Sequence, residues 1–351
     1  MLESLGLDMS PRAVSLWAGV LIGLAFGALA ERSRFCLRRA VVGPAGERGE
    51  ASAMWLAALA TAVAGTQLAQ ATGLIDLGGH RFLAPTLPAV AILVGGLLFG
   101  AGMVLARGCP ARLTVLAATG NLRAAIVVLL IAVVGLISMK GLLAPTAGKL
   151  AGITISLPHL AALPGSAIAV PIILVLLSLA ARPSWRTLAF GSAIGALVPA
   201  TWLATGWFLL DDFDPVPVEA LSFIAPVTDT LFWSIAATAI APGLGVGLVL
   251  GTLGGALLSA LSGQRTDWQS FATPRETGRY VSGAALMGVG GVLAGGCTIG
   301  AGLSGVSTLS TAAILALAAI VIGARLTDRL LSASFAGSAG SSATLPPQPA
   351  E

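Results

Sequence analysis

"GGVLAGGCTIGAGLSG", residues Gly290–Gly305, sets a cysteine among glycines at the end of a run apolar enough for a membrane helix. Nearly the same phrase, "GLLFGAGMVLARGCPARL", stands at Gly96–Leu113. Aligning residues 95–109 on 283–297 pairs Gly95 with Gly283, Gly102 with Gly290, Gly108 with Gly296 and Cys109 with Cys297, among nine identities in fifteen positions. The question is what a repeated glycine-cysteine phrase does inside a bilayer.

Composition supplies the bilayer. Of 351 residues 56% are hydrophobic and 10% charged, against about 25% charged in a soluble domain. Nine apolar runs recur, from Ala13–Ala30 to Thr308–Ala324, and a span needs about 20 residues of helix. The fold expected is an all-α polytopic membrane protein of about nine transmembrane helices with short re-entrant helices. The first run is followed by "ERSRFCLRR" and has no small-residue cleavage site, so it reads as a retained span. Arg32, Arg34, Arg38 and Arg39, then Arg182 and Arg186, then Arg265, Arg275 and Arg279, then Arg325 and Arg329 fall at alternate ends of the spans. The positive-inside rule then puts the N-terminus outside and the C-terminus in the cytoplasm. That rule also accounts for the net charge of +4 without a nucleic-acid partner. The polar tail 332–351 reads as disordered.

In this topology the first copy of the phrase ends the third span, running inward, and the second ends the eighth, running outward. The two copies are therefore inverted, which divides the chain into halves 1–165 and 166–331. Inverted halves with interrupted helices are the layout of many transporters. A fainter echo pairs "FGAL" at Phe26–Leu29 with "IGAL" at Ile194–Leu197.

Most of the 45 glycines need only let helices pack closely. Gly108-Cys109-Pro110 asks for more, because proline favours the first position of a helix, and so a helix restarts after Cys109. Gly295-Gly296-Cys297-Thr298 offers the same break. Asn121 and Thr298 are candidates to satisfy the backbone groups a break frees. Irregular backbone at membrane depth must be buried in protein or line a cavity, and a restarted helix turns its positive end toward that cavity, which suits an anion.

All three cysteines, Cys36, Cys109 and Cys297, sit in comparable places. A single membrane cysteine is usually a small apolar residue; a matched pair in an inverted repeat is not explained that way. No Cys-x-x-Cys occurs, which weakens redox and zinc readings, and one disulfide would leave a thiol over. Soft sulfur ligands suit a soft metal or a sulfur-bearing solute. Arginines 32, 34, 38, 39, 107, 112 and 123 outnumber Glu31 nearby, which favours an anion. No phosphate-binding Gly-x-x-x-x-Gly-Lys motif is present, no cofactor is called for, and nothing points to an enzyme.

"RSRFC", "GAGMVLARGC…GN" and "GVGGVLAGGCTIGAGLSG" resemble the three cysteine motifs of the YeeE/YedE family of bacterial sulfur transporters, over nearly the whole chain before the tail. The resemblance implies inner-membrane uptake of thiosulfate, an hourglass of two inverted halves, substrate contacts at Cys36, Cys109 and Cys297, and a cytoplasmic TusA-type sulfur carrier as partner. Gly108, Gly295, Gly296, Thr298 and Asn121 are the expected supporting residues. Protonated thiols would pass the ion on by weak S–H contacts, since a thiolate would repel it. One departure is Pro110-Ala111-Arg112, where similar members carry small or hydroxyl residues; it leaves open thiosulfate against a related sulfur or selenium species. A soft-metal permease and a membrane thiol oxidoreductase are the alternatives from other classes.

Overall fold

The computed structural model describes residues 10–210 and 216–338. Asp211–Pro215 and residues 339–351 of the tail lie outside the described residues. The described chain is helical: α1 (Pro11–Ser33), α2 (Leu37–Val42), α3 (Ala45–Ala71), α4 (Ala89–Leu105), α5 (Pro110–Ala118), α6 (Leu122–Met139), α7 (Ala144–Ala151), α8 (Ser166–Ala180), α9 (Trp185–Leu203), α10 (Ile224–Ile235), α11 (Leu244–Ser262), α12 (Pro274–Leu293) and α13 (Thr311–Ser338). Every one of the nine apolar runs falls on a helix. Among the described residues six helical stretches are long and apolar enough to cross a bilayer by themselves. The shorter α8, with Pro171 inside it, leans on α3, where Ser178 Oγ donates to the Ala53 carbonyl at 2.8 Å. The last helix runs to Ser338, seven residues into the segment expected to be tail.

Glycine decides how the helices meet. Gly19, Gly23 and Gly27 on α1 face Gly247, Gly251 and Gly255 on α11, and a methyl built on any of the six would strike a backbone carbonyl oxygen of the other helix. Two small-xxx-small stripes thus interlock, and the backbones touch. The same contact recurs between α9 and α3, where Gly191 sits against the Met54 carbonyl and Gly195 against that of Ala58. Gly23 meets Leu248 and Gly27 meets Thr252. Adding 168 carries Gly23 and Gly27 to Gly191 and Gly195; subtracting 194 carries Leu248 and Thr252 to Met54 and Ala58. The faint "FGAL/IGAL" echo is therefore the sequence trace of a repeated helix pair.

The pseudo-two-fold axis of this repeat passes between α4 and α12. A methyl on Gly95 would lie 2.7 Å from the Gly290 carbonyl oxygen, and one on Gly283 would lie 2.8 Å from that of Gly102. Since the repeat equates Gly95 with Gly283 and Gly102 with Gly290, each contact is the image of the other. The two helices are antiparallel, as inverted halves require.

At one end of the bundle the arginines collect. Glu31, buried at the end of α1, accepts from Arg265 at both oxygens (2.8 Å each) and from Ser259 Oγ at 2.7 Å. Arg123 pairs with Glu276 at 2.8 Å. At the opposite end, between α3 and α4, the half-buried His80 ring lies edge-on to Trp202 at 5.0 Å and its Nδ1 accepts from the Phe82 N–H at 3.3 Å. Burial, with the charge of Arg81 beside it, lowers His80 from 6.5 to about 4. The unfolded chain therefore takes up the proton first, and stability, unaffected above pH 6.5, falls as the pH drops toward 4. At about 1.36 kcal/mol per pH unit, reduced by solvent screening of the partly exposed ring, the loss is on the order of 1–2 kcal/mol. His80→Asn, which keeps an acceptor and cannot be protonated, should remove that part of the loss in thermal melts run between pH 7 and 4.

Candidate functional site

The three cysteines share one local construction. A span ends, a residue with left-handed backbone follows, and the cysteine comes two residues later. Those residues are Arg34 (φ 53°), Arg107 (φ 57°) and Gly295 (φ 73°). Each cysteine then stands at the head of a new helical segment, its carbonyl taking the first intrahelical hydrogen bond: from Ala40 N–H to Cys36 (3.4 Å), Leu113 N–H to Cys109 (2.9 Å) and Ala301 N–H to Cys297 (2.9 Å). For Cys36 and Cys109 this is the N-cap position; Cys297 opens the turn that leads into the next segment, whose cap is Ile299. At Cys297 the sulfur itself accepts the Gly300 N–H at 3.3 Å, and the restarted segment, Gly300–Gly305, is a π-helix.

Two glycines make the third break possible. The Gly296 N–H bonds to the Gly291 carbonyl and the Gly295 N–H to that of Val292, the paired bonds of a Schellman ending. Gly295 needs its left-handed φ and has open space around its Cα, whereas Gly296 (φ 156°) also lacks room, for a methyl there would lie 2.7 Å from the Ala301 nitrogen. Gly108 differs. Its φ is ordinary, and the nearest atoms to an added methyl are in the Leu113 side chain at 3.1 Å, so at this break the left-handed residue is Arg107.

The breaks turn both chains back toward the middle. α5 begins with Cys109 as its cap and ends near Gly120 and Asn121, which meet the Asp267–Gln269 segment at the arginine-rich end. The segment after Cys297 returns to the opposite end, where Ser310 Oγ bonds to the Phe82 carbonyl. Serines pin this second segment: Ser304 Oγ donates to the Leu221 carbonyl at 2.7 Å, and Ser307 Oγ accepts from Thr66 Oγ1 at 3.1 Å and Trp202 Nε1 at 3.4 Å. Trp202 and Trp55 are buried, and the Trp202 indole N–H finds its partner inside the bundle.

Cys36 and Thr298 are side-chain neighbours of Cys109. Thr298 Oγ1 is buried and has no hydrogen-bond partner among the described residues. Cys109 and Cys297 are buried, Cys36 partly so, and all three thiols are free. Arg112 donates to the Ala30 carbonyl at 3.3 Å and lies in the electrostatic neighbourhood of Cys36, Cys109, Glu31 and Arg34. Arg38 is likewise near Cys36. Two expected members stand elsewhere. Asn121 caps α6, its Oδ1 accepting the Ala124 N–H at 3.0 Å, and donates to Gln269. Arg123 belongs to Glu276. Both satisfy the arginine-rich end, away from the cysteines, because helix-start chemistry looks the same in sequence wherever the helix starts. Among the described residues no three of His, Cys, Asp and Glu gather as a metal site.

A multi-pass helical bundle of inverted halves, each containing an interrupted helix, is the architecture of a membrane transporter. The sequence profile of the sulphur-transport family matches the chain twice, over residues 32–183 and 177–326. The chain belongs to that family, the YeeE/YedE sulphur transporters. No curated protein matches it.

Proposed function

We propose that the protein takes up thiosulfate, or a closely related sulfur anion, across the bacterial inner membrane by way of Cys297, Cys109 and Cys36. The observation that supports this reading is the thrice-repeated break, with a thiol at each helix restart and with Cys36 and Thr298 as neighbours of Cys109. The terminal sulfur of thiosulfate is large and polarizable, and a neutral thiol offers it a weak S–H donor. Weak, successive contacts let an ion enter and also leave. The arginine-rich end faces the cytoplasm, in keeping with the positive-inside rule, which puts the C-terminus inside and the N-terminus outside. An anion drawn inward is delivered to that end, where a TusA-type carrier would receive it.

The test is uptake of sulfur-labelled thiosulfate by vesicles containing purified protein, wild type beside Cys297→Ser. Serine keeps an acceptor for the Gly300 N–H, so the fold is retained. A lost contact of about 1 kcal/mol corresponds to roughly a fivefold fall in rate, and a fall of at least that size is expected. Equal uptake would discard the relay. Cys36 beside Cys109 also favours a second reading, a thiol oxidoreductase in which the two thiols pass two electrons and two protons to a substrate disulfide, releasing it as two thiols, and are left joined to each other. In that case mass spectrometry would find the Cys36–Cys109 disulfide in turnover, and alkylation would stop activity with no solute moved.

A further inference from the structure

We infer that a cleft on the arginine-rich face, between the end of α1, α2 and the starts of α3 and α9, is a binding site for a small tetrahedral oxyanion. The cleft holds about 290 Å³ and is lined by Arg32, Arg34, Arg39 and Arg186, with Glu50 and Thr187. At about 30 Å³ per water it has room for a partly hydrated dianion. Two of the four guanidinium groups come from the end of α1 and one each from α2 and α9; Glu50 lines the cleft with them, and Arg39 is also paired with Glu47. Crowded like charges repel, so the arrangement is stabilised by an anion between them.

The guanidinium groups are held in place. Arg32 Nε donates to Ser259 Oγ at 3.1 Å, Arg39 Nε donates to Glu47 Oε2 at 2.7 Å, and Arg186 lies against the Trp185 ring at 5.9 Å. With Nε engaged, the Nη edges of Arg32 and Arg39 remain for another acceptor, and a planar fork of N–H donors matches an oxyanion. Glu50 accepts from Thr187 Oγ1 at 3.4 Å and opposes anion retention, which keeps the site weak enough to empty.

Topology alone accounts for arginines at this end of the helices, and Arg275, Arg325 and Arg329 meet that rule without lining this cleft. The cleft is also electrostatically near the cysteine region: Arg34 acts on Arg112, which in turn lies in the electrostatic neighbourhood of Cys36 and Cys109. As a station on the path of the transported anion the site rests on the transport reading. As a binding site it does not, and sulfate binding is measured apart from uptake, so either can fail alone.

The experiment titrates sodium sulfate, at fixed ionic strength in chloride, into the full chain held in nanodiscs of neutral lipid, read by calorimetry. Wild type should bind sulfate. Arg186→Gln should weaken it about tenfold, the loss of one charge-assisted contact. Glu50→Gln should tighten it severalfold, and Arg275→Gln, the same charge removed from the same face outside the cleft, should leave it unchanged. Repeating the titration with phosphatidylglycerol in the disc separates two sources of the same chemistry. Competition that disappears in Arg186→Gln assigns the site to a lipid phosphate, and unchanged affinity assigns it to a free oxyanion. The absence of sulfate binding in neutral lipid, or equal weakening by Arg186→Gln and Arg275→Gln, overturns the inference.

Discussion

Gly251→Val should abolish the folded protein, while Gly254→Val, three residues along the same helix, should be tolerated. At Gly251 an added methyl meets the Val20 carbonyl oxygen, with the Val20 Cα and carbonyl carbon 2.9 Å away. None of these atoms can swing aside as a side-chain end would. The α1 backbone has to retreat, and the five other glycine contacts of the interlocked stripe go with it. Overpacking at a single site costs typically 1–3 kcal/mol and sometimes more. Here it falls on a backbone-to-backbone contact repeated along three turns, so a loss of about 3 kcal/mol or more is expected. Gly254 faces only the end of the Leu24 side chain at 3.4 Å, an ordinary contact. Size-exclusion profiles and thermal melts of the detergent-purified variants make the comparison. If both variants behave alike, the stripe does not hold α1 to α11.

The same stripe shows why parts of the fold are legible in the sequence and parts are not. Spans declare themselves because an apolar run has one use in a bilayer, and the run positions coincide with helices throughout. The α4/α12 repeat is legible because Gly95, Gly102, Gly283 and Gly290 lie on the symmetry axis, where each copy packs against the other and the same small residue is required twice. Away from the axis the copies face different neighbours and diverge. Cys36, the residue before α2, corresponds by this architecture to Phe223, the residue before α10, a buried ring 5.0 Å from Phe26. Nothing in the letters relates a cysteine to a phenylalanine, so the first break looks like a plain basic loop. The breaks are hidden for a further reason: two of the three left-handed residues are Arg34 and Arg107, where glycine would have announced the turn. A non-glycine residue with positive φ costs roughly 1–2 kcal/mol, paid by the packing around it. That Cys109 and Thr298 are neighbours is beyond sequence reading altogether, since it depends on two interrupted helices from the two halves approaching one another.

That dependence makes Gly296 the most sensitive residue of the candidate site. Gly296→Val should remove transport even where the bundle survives, because the substitution combines two faults. Its φ of 156° is one that a β-branched residue avoids, and an added Cβ lies 2.7 Å from the Ala301 nitrogen and 3.2 Å from the Ala301 methyl. The Ala301 N–H closes the first turn of the restarted segment on the Cys297 carbonyl, so relieving the clash unmakes that turn and displaces Cys297 and Thr298 together. Gly295→Ala serves as the graded comparison. The space beside Gly295 is open, so the change costs only the left-handed backbone, about 1–2 kcal/mol, and uptake should persist at a reduced level. Arg107→Gly, the converse change at the Cys109 break, should be neutral or gain up to about 1 kcal/mol in stability by removing a side chain from left-handed backbone. The measurement is thermal stability alongside labelled thiosulfate uptake for the three variants. The order expected for uptake places Gly296→Val far below Gly295→Ala, with Arg107→Gly at least as stable as wild type. An equal loss from Gly295→Ala and Gly296→Val would mean that backbone conformation alone sets the break, and that the close approach of Ala301 to Gly296 plays no part in positioning the thiol.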